Sequence, residues 1–333
     1  MGSLPRYSIV ESSFKYYLQV SEMTVMCNGK RFRITISADN LEEAPSLKEK
    51  YVNYLHFMVT QGPNCSRVKG YNDWVLKPFI PLFRNVPSLL TRQTLTLQDY
   101  FLPRTVDYTL RAVGGELIPV PQKFADPERF EAGVKLSQEV CSPWISFHPS
   151  EVVICTRNPE EALSHTPRKV IVNGKTTYYF KECPGVHARL TQHELDTYKR
   201  IEDAGLGKQL RIPHLCGLVR DGNSGIVFGL LFFHIKCRSQ TLRCAATLDA
   251  AKSLRMQWAK QVTHTVGVLH EAGIVWGHAG PDNVLVDVNE EAWIINFGGG
   301  FYGREIAGTM KGDLDGLAKI LDYLNIDASS ACD

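Results

Sequence analysis

The sequence predicts a mixed α+β protein made of two parts, residues 1–149 and 150–333. Three observations lead to this prediction. The chain has 333 residues, which is more than one typical domain holds. Its composition, 44% hydrophobic and 22% charged, is that of an ordinary globular protein. Strand-like and helix-like patterns occur on both sides of a polar passage that ends at Pro143 and Pro149.

Composition and charge exclude several classes of function. The 37 Lys and Arg residues nearly balance the 35 Asp and Glu residues, so the net charge of +2 gives no general attraction to nucleic acid or lipid. No apolar run is long enough to span a bilayer, and the N-terminus lacks the apolar core of a signal peptide. The nine cysteines are scattered without a CxxC pair, which favours free thiols over a disulfide framework or a zinc site. We therefore expect a cytoplasmic protein without membrane contact and without a metal site.

The first part, residues 1–149, has the pattern of an α/β domain of unassigned role. Alternating apolar and polar residues on both sides of Asn28-Gly29 predict a β-hairpin formed by residues 23–27 and 31–37. Apolar residues at helical spacing predict a helix over residues 46–61. Residues 71–103 are rich in aromatic side chains and proline, which favours packing against a neighbouring domain over cofactor binding.

The second part, residues 150–333, alternates strands and helices. Thr191 followed by Glu194 has the spacing of a capping box at the start of a helix. The patterns predict strands over 152–157, 169–172 and 176–181, a helix over 191–204, a hairpin of 215–220 with 226–235, a helix over 246–272, two short strands over 284–288 and 292–295, and a last helix over 313–324.

The most informative segment reads LHEAGIVWGHAGPDNVLVD over residues 269–287 and AWIINFGGG over residues 292–300. It resembles the protein-kinase-like superfamily, and in particular fungal kinase-like proteins that carry WGDxxPxNVLID and DFGGG. The resemblance covers roughly residues 150–325. It implies a bilobal fold with a nucleotide cleft between the lobes, a catalytic loop and a metal-binding Asp-Phe-Gly. Because little chain follows the last helix, the helical lobe is expected to be truncated.

The resemblance also implies roles for individual residues. The strand lysine and its partner glutamate, which hold the phosphates of a bound nucleotide in active members, correspond to Lys181 and Glu194. The asparagine that holds the second metal corresponds to Asn283, and the helix aspartate that steadies the catalytic loop corresponds to Asp313. Each residue also has a purely structural interpretation. Lys181 would be a strand-end lysine and Glu194 a capping carboxylate. Asn283 would be a turn residue and Asp313 a helix N-cap.

Departures from the family pattern oppose phosphoryl transfer. His278 stands where the family has its catalytic aspartate, and a positioned acid–base group contributes about 10²–10⁴ in rate. Gly280 replaces a lysine that would neutralise phosphate charge. Asn296 replaces the metal-chelating aspartate, and an amide is a poorer Mg²⁺ ligand than a carboxylate. Residues 158–161 stand where a Gly-rich phosphate loop is expected. Ordinary kinase activity and Mg²⁺ binding are therefore disfavoured.

The sequence leaves three hypotheses open. The first is a catalytically degenerate, pseudokinase-like protein that binds a nucleotide, a metabolite or a protein partner. The second is a repurposed kinase-fold transferase in small-molecule biosynthesis, for example an aminoacyl-tRNA-dependent arginine-containing cyclodipeptide synthase. The third is a purely structural partner that binds no ligand. The segment of residues 296–313 lacks an Ala-Pro-Glu anchor, so none of the three expects a protein substrate held in the usual kinase manner.

The transferase hypothesis makes its own residue assignments. His278, Asn283 and Asn296 would form the catalytic centre, with His278 as general base. Cys183 and Cys237 are candidate nucleophiles, although buried, inert thiols are the competing interpretation. A tRNA-binding surface would need cationic side chains, for which the sequence offers Lys30, Arg31, Arg33, Arg168 and Lys169, and the alternative is solvated hairpin charge.

Overall fold

The computed structural model describes ten stretches of the chain, with short gaps between them. These are residues 6–61, 66–87, 94–122, 132–159, 162–163, 165–185, 188–239, 241–246, 250–298 and 308–326. The fold is mixed α+β, as the sequence predicts, and the chain forms two compact units. Unit 1 consists of Met1–Phe130 and Ser150–Pro167, and unit 2 of Glu131–Pro149 and Arg168–Asp333. The chain thus crosses from one unit to the other three times, after residues 130, 149 and 167. The predicted division into residues 1–149 and 150–333 contains only one such crossing.

Unit 1 is a five-stranded sheet with helices between its third and fourth strands. Its strands follow the order β1-β2-β3-β4-β5 across the sheet. Only β3 and β4 are parallel, because the helices provide the crossover between them. The elements are β1 (Ser8–Lys15), β2 (Val20–Cys27), β3 (Lys30–Ser37), α1 (Pro45–Gln61), α2 (Ser66–Leu76), α3 (Ile80–Arg84), α4 (Leu97–Phe101), β4 (Thr105–Val113) and β5 (Glu116–Pro121).

The turn between β2 and β3 confirms the hairpin predicted from Asn28-Gly29. Both residues have positive φ, 47° and 73°, which two-residue hairpin turns of the favoured twist require and which Asn and Gly tolerate. The register that follows pairs Cys27 with Lys30 and Met23 with Ile34. The residues that alternate along β3 therefore bury one face of the sheet.

The aromatic stretch of the first part fills the core of unit 1 itself. Tyr71, Phe79 and Phe83 are almost fully buried and belong to the same hydrophobic cluster as Phe32 and Ile34 of the sheet. The expectation that this stretch is reserved for packing against a neighbouring domain is wrong, because these rings cover the apolar face of the sheet in their own unit.

The chain then crosses into unit 2, returns to unit 1 and enters unit 2 again. The segment Glu131–Pro149, which belongs to unit 2, contains β6 (Val134–Lys135), α5 (Gln138–Cys141) and β7 (Ser146–Phe147). The segment Ser150–Pro167, which belongs to unit 1, contains β8 (Val152–Ile154). The remaining elements of unit 2 are β9 (Lys169–Val172), β10 (Thr176–Glu182), α6 (Ala188–Asp203), β11 (Leu215–Arg220), β12 (Ile226–Phe233), β13 (Cys237–Ser239), α7 (Leu242–Ala245), α8 (Lys252–Glu271), β14 (Val284–Asp287), β15 (Ala292–Ile294) and α9 (Met310–Tyr323).

Unit 2 contains a larger and a smaller sheet around one hydrophobic core. Strands β7, β11, β12, β10 and β9 are neighbours in that order, and β6 pairs with β12. Strands β13, β14 and β15 form the separate small sheet. Buried residues of β12, α6, α8 and α9 join one cluster, exemplified by Leu230, Tyr198, Val262 and Ile320. The predicted strands and hairpins of this part are confirmed, with ends that differ by a few residues.

Three predicted helix ends in unit 2 are wrong. Helix α6 begins at Ala188, so Thr191 is a buried residue of its first turn rather than its N-cap. Helix α8 begins at Lys252 rather than at residue 246, and a separate short helix, α7, ends at Ala245. Helix α9 begins at Met310, and its N-cap is Thr309, whose hydroxyl accepts from the backbone N–H of Gly312. Asp313 is therefore not a capping residue.

The length and polarity of the described helices decide whether any of them could cross a membrane. Among the residues that the structure describes, every helix is too short or too polar to span a bilayer.

Candidate functional site

A partly buried ion pair joins β10 to α6 in unit 2. The ammonium group of Lys181 donates to both carboxylate oxygens of Glu194, at 2.7 Å each, and to Oδ1 of Asn296 at 3.2 Å. The side chain of Glu194 is only 5% exposed and that of Lys181 is 28% exposed. The ammonium of Lys181 is therefore held by two side chains of the protein, those of Glu194 and Asn296. The capping interpretation of Glu194 is wrong, because its carboxylate binds Lys181 from the second turn of α6.

The segment 296–298 is fastened to the same helix. Phe297 is fully buried, with its ring 5.3 Å from that of Tyr198, one turn after Glu194 on α6. A Cβ on Gly298 would lie 2.9 Å from Glu194 Oε2 and 3.2 Å from the carbonyl oxygen of Leu190. Glycine is therefore required at 298 for the chain to approach α6. Asn296 has a φ of 65°, a left-handed conformation that asparagine tolerates better than most residues.

Two asparagine side chains continue the network away from Lys181. Asn296 donates through Nδ2 to Oδ1 of Asn283 at 2.6 Å, and Asn283 donates through Nδ2 to the carbonyl oxygen of His278 at 2.9 Å. Both amide oxygens accept from protein donors. The residues that the resemblance matches to metal ligands thus satisfy one another by neutral hydrogen bonds. Among the described residues, no three His, Cys, Asp or Glu side chains come together as a metal site.

Asp313 organises the loop that carries His278. It is 1% exposed and accepts from the backbone N–H groups of Trp276 and Gly277, both at 2.7 Å, and lies 2.9 Å from Nε2 of His270. Buried carboxylates need such donors to offset the loss of hydration. Asp313 thus holds the backbone at Trp276 and Gly277 in place, and the family role that the resemblance implies for it stays a prediction.

The side chain of His278 lies apart from this network. It is exposed, and only its main-chain oxygen contacts the other site residues. The structure thus brings Lys181, Glu194, Asn283 and Asn296 together by side-chain contacts, and it does not bring the imidazole of His278 into that group. The role of His278 as a general base stays a prediction.

The ion pair borders a cavity of about 580 Å³ in unit 2. This volume is typical of small-molecule sites, which are mostly apolar with a few polar groups. Lys181, Glu194 and Asn296 line it together with residues that the sequence did not single out. These are Tyr179, Tyr198, Pro213, Phe232, Phe233, His234, Ile235, Thr241, Leu285 and Ile295. Arg168 and Cys237, which the sequence did single out for other roles, complete the lining. The alternation of β10 predicts that Tyr179 and Lys181 face the same side, but nothing local predicts the rest of the wall.

Two further polar groups line this cavity. Arg168 is exposed and donates to the hydroxyl of Tyr179 at 3.1 Å, which positions a second cation at the cavity. Burial lowers the pKa of His234 below its ordinary value, and the positive charge of Lys169 adds to this effect. The His234 ring is therefore neutral at pH 7.

The candidate cysteine nucleophiles are protonated thiols. Burial raises the pKa of Cys183 to about 12, and the residue is 3% exposed. Burial, followed by the charge of Asp287, also raises the pKa of Cys237. Because the thiolate is the reactive form, these environments favour the inert interpretation of both residues.

Three of the five cationic side chains proposed for a tRNA surface, Lys30, Arg31 and Arg33, have partners within unit 1, whereas Arg168 and Lys169 belong to unit 2. Arg33 donates to the carboxylate of Asp107 at 3.2 Å, and Arg31 donates to the carbonyl oxygen of Tyr100 at 3.1 Å. The ammonium of Lys30 lies 5.0 Å from the ring centre of Phe32. These contacts fit hairpin charges with local partners rather than a free basic surface, and tRNA binding stays a prediction.

Two predicted features lie wholly or partly outside the described residues. Residues 160 and 161, in the place of the phosphate loop, are not described, and neither are residues 299–307 of the Gly-rich segment.

Comparisons with known proteins add no assignment. No family model matches the chain, and a search of the curated proteins finds no match.

Proposed function

We propose that unit 2 is a catalytically degenerate, kinase-like domain that binds a small molecule, a nucleotide or another metabolite, in the cavity beside Lys181. The observation that carries this proposal is the Lys181–Glu194 ion pair, which borders a 580 Å³ cavity with aromatic walls. A buried charge pair is a costly feature, and replacing one by apolar residues is often neutral or stabilising. Its position at a cavity of ligand size favours a role in binding.

The surroundings of the ion pair support the kinase-like assignment. A sheet lysine pairs with a glutamate on the following helix, and a segment reading Asn296-Phe297-Gly298 reaches the same lysine. A buried aspartate on a later helix holds the backbone at Trp276, before the loop that ends in Asn283. This set of relations is what the resemblance implies, and the sequence order of the strands and helices agrees with it.

The same residues argue against phosphoryl transfer. Asn296 and Asn283 bind each other through neutral amides, so no carboxylate stands at the position that would hold magnesium in the family. His278, at the position of the catalytic aspartate, turns its side chain to solvent. Loss of a positioned acid–base group removes about 10²–10⁴ in rate. A binding function makes no use of the missing groups.

A ligand-dependent thermal shift tests the proposal. The full-length protein is heated with ATP, ADP, AMP or phenyl phosphate, and each shift is compared with that of the double variant Lys181→Met/Glu194→Gln. The double variant removes the cation without leaving a buried unpaired carboxylate. A ligand at 100-fold its Kd stabilises the wild-type protein by about 2.7 kcal/mol, and we expect the double variant to lose this shift.

Lys175 provides the matched control. It lies in the exposed turn between β9 and β10, so Lys175→Met removes the same charge far along the hairpin from the cavity. We expect this variant to keep the wild-type shift. Equal shifts in the wild-type protein and the double variant, or no shift with any of the probes, would overturn the proposal.

The transferase hypothesis predicts a different result. It requires a new small molecule in a strain that expresses the chain, and loss of that product in His278→Ala. Because His278 is exposed and outside the cavity lining, the binding proposal expects His278→Ala to keep the full thermal shift. Metabolite profiling of both strains, with the thermal shift measured in parallel, separates the two hypotheses.

A further inference from the structure

We infer that the ligand carries a single anionic group on an aromatic or apolar body, and that this group binds Lys181 without a divalent metal by displacing Asn296 Oδ1. The inference rests on the proposed function and specifies its ligand class. Its starting point is that Asn296 Oδ1 is a neutral and more distant partner of Lys181 than the carboxylate of Glu194.

The three hydrogen bonds of Lys181 are unequal. Both bonds to Glu194 measure 2.7 Å and join opposite charges, whereas the bond to Asn296 measures 3.2 Å and joins a charge to a neutral amide. An anionic oxygen adds an attraction between full charges that a neutral amide oxygen lacks, and hydrogen bonds between ions are short and strong. An anionic oxygen therefore gains by replacing the amide oxygen of Asn296, and it gains nothing by competing with Glu194.

The charges that line the cavity set the number of negative charges a ligand can bring. Lys181 and Glu194 cancel each other, Arg168 adds one positive charge, and His234 is neutral at pH 7 because burial lowers its pKa. Lys169 and Lys236, whose positive charges also lower the pKa of His234, add positive charge nearby. The total suits one carboxylate or one phosphate monoester, which carries about −1.5 to −2 at pH 7. A metal-free triphosphate would leave most of its charge uncompensated in a cavity with largely apolar walls.

Asn296 contributes a donor once it is displaced. One N–H of its amide binds Asn283, and a primary amide has a second N–H that an incoming anion can accept. An aspartate at 296 would act in the opposite sense. It would hold Lys181 through a charge-assisted bond, and its own negative charge would repel the ligand.

The walls of the cavity indicate the body of the ligand. Tyr179, Tyr198, Phe232 and Phe233 line it together with aliphatic side chains. Aromatic rings bind flat apolar groups by stacked or edge-to-face contacts. The anionic group thus fixes one end of the ligand at Lys181, and a ring or other apolar body covers the wall.

Calorimetric titration of the full-length protein tests this inference. The probes are adenosine, AMP, ATP and phenyl phosphate, each titrated once in EDTA and once in excess magnesium. We expect AMP or phenyl phosphate to bind at least about tenfold more tightly than ATP or adenosine in EDTA, which corresponds to about 1.4 kcal/mol. Magnesium is expected to leave the affinity for the monophosphate unchanged.

Two substitutions at one position give the sharpest contrast. We expect Asn296→Asp to weaken monophosphate binding by about tenfold or more. Asn296→Ala loses the amide donor but also leaves no amide oxygen to displace from Lys181, so we expect its binding to stay within about threefold of wild type. Each variant is first compared with wild type by circular dichroism. The comparison of probes in EDTA and magnesium uses the wild-type protein alone, so it remains decisive if a variant does not fold.

These measurements can contradict the inferred ligand class without contradicting the proposed binding of a small molecule. Magnesium-dependent binding of ATP, or tighter binding by Asn296→Asp, would overturn the inference while leaving the cavity as a ligand site. Absence of binding by all four probes would overturn the inference together with the proposed function.

Discussion

Units 1 and 2 each contain a buried cluster of polar side chains, and the two clusters differ in charge and in access to a cavity. In unit 1, the hydroxyl of Ser21 lies 2.9 Å from that of Tyr51 and 2.7 Å from that of Tyr71, and all three residues are at most 1% exposed. In unit 2, Lys181 and Glu194 form a charged cluster that borders open volume.

The difference favours a structural role for the first cluster and is consistent with the proposed ligand-binding role of the second. The hydroxyl cluster is neutral and also binds the main chain, with Tyr51 donating to the carbonyl oxygen of Ile36 at 3.0 Å. Burial raises the pKa of Tyr51 to about 12, so the cluster keeps one protonation state at physiological pH. The charged cluster keeps a carboxylate and an ammonium beside a cavity, at a desolvation cost that the fold alone does not require.

The largest expected effect comes from breaking the charged cluster on one side. Lys181→Met leaves the carboxylate of Glu194 buried without its partner, and such changes cost about 3–5 kcal/mol. We expect the double variant Lys181→Met/Glu194→Gln to recover most of that loss, because no unpaired charge remains. Urea unfolding followed by tryptophan fluorescence reports this directly, since four of the five tryptophans belong to unit 2.

The single variant Glu194→Gln completes this cycle. Lys181 is 28% exposed, so its ammonium keeps access to water when the carboxylate is lost. We expect Glu194→Gln to be less destabilising than Lys181→Met. Equal losses in both single variants, with no recovery in the double variant, would show that the pair is not coupled in the way described.

A smaller effect is expected from the neutral cluster of unit 1. Ser21→Ala removes the one described partner of the Tyr71 hydroxyl, and a buried hydroxyl without a partner costs about 1–3 kcal/mol. Adding Tyr71→Phe removes that hydroxyl as well, so we expect the double variant to regain most of the loss. Thermal unfolding of the single and double variants measures both effects.

Ligand binding separates the two clusters in the same experiment. Ser21→Ala is expected to leave the ligand-dependent thermal shift unchanged, whereas Lys181→Met/Glu194→Gln is expected to abolish it. Loss of the shift in Ser21→Ala would contradict the assignment of this cluster to the fold alone.

Local patterns in the sequence predict much of the secondary structure. Asn28-Gly29 predicts its hairpin because few residues other than Asn and Gly accept positive φ at both turn positions. The resemblance to kinase-like proteins pairs Lys181 with Glu194 across 13 residues of sequence, and the structure places them 2.7 Å apart. Their functional roles stay predictions, because contact alone does not identify a ligand.

Other features depend on contacts that no local pattern contains. The two-residue strands β6 and β7 are too short to show periodicity. For this reason the sequence did not predict that the segment Glu131–Pro149 belongs to unit 2. The capping-box spacing at Thr191 misplaced the start of α6, because Ala188, Arg189 and Leu190 are good helix formers that extend it. The preference for glycine at 298 arises from its close approach to Glu194 and Leu190 on α6.

The smallest expected effect is on the pH dependence of stability. It contrasts His234, which lines the cavity of unit 2, with the hydroxyl cluster of unit 1. Burial lowers the pKa of His234 in the folded protein, with Lys169 and Lys236 adding to the effect, whereas the unfolded chain has the ordinary value of 6.5. As the pH falls below about 6.5, the unfolded state takes up this proton before the folded state does, so stability decreases.

His234→Gln removes this contribution, so the variant is expected to lose less stability than wild type between neutral pH and about pH 5. We expect the difference to stay below about 1 kcal/mol, because the ring is partly solvated and water screens its charge. Urea unfolding of both proteins at several pH values measures it. The tyrosines of unit 1 carry raised pKa values and do not titrate in this range, so Ser21→Ala should parallel wild type throughout. Identical pH profiles for wild type and His234→Gln would show that His234 is not held neutral by its place at the cavity.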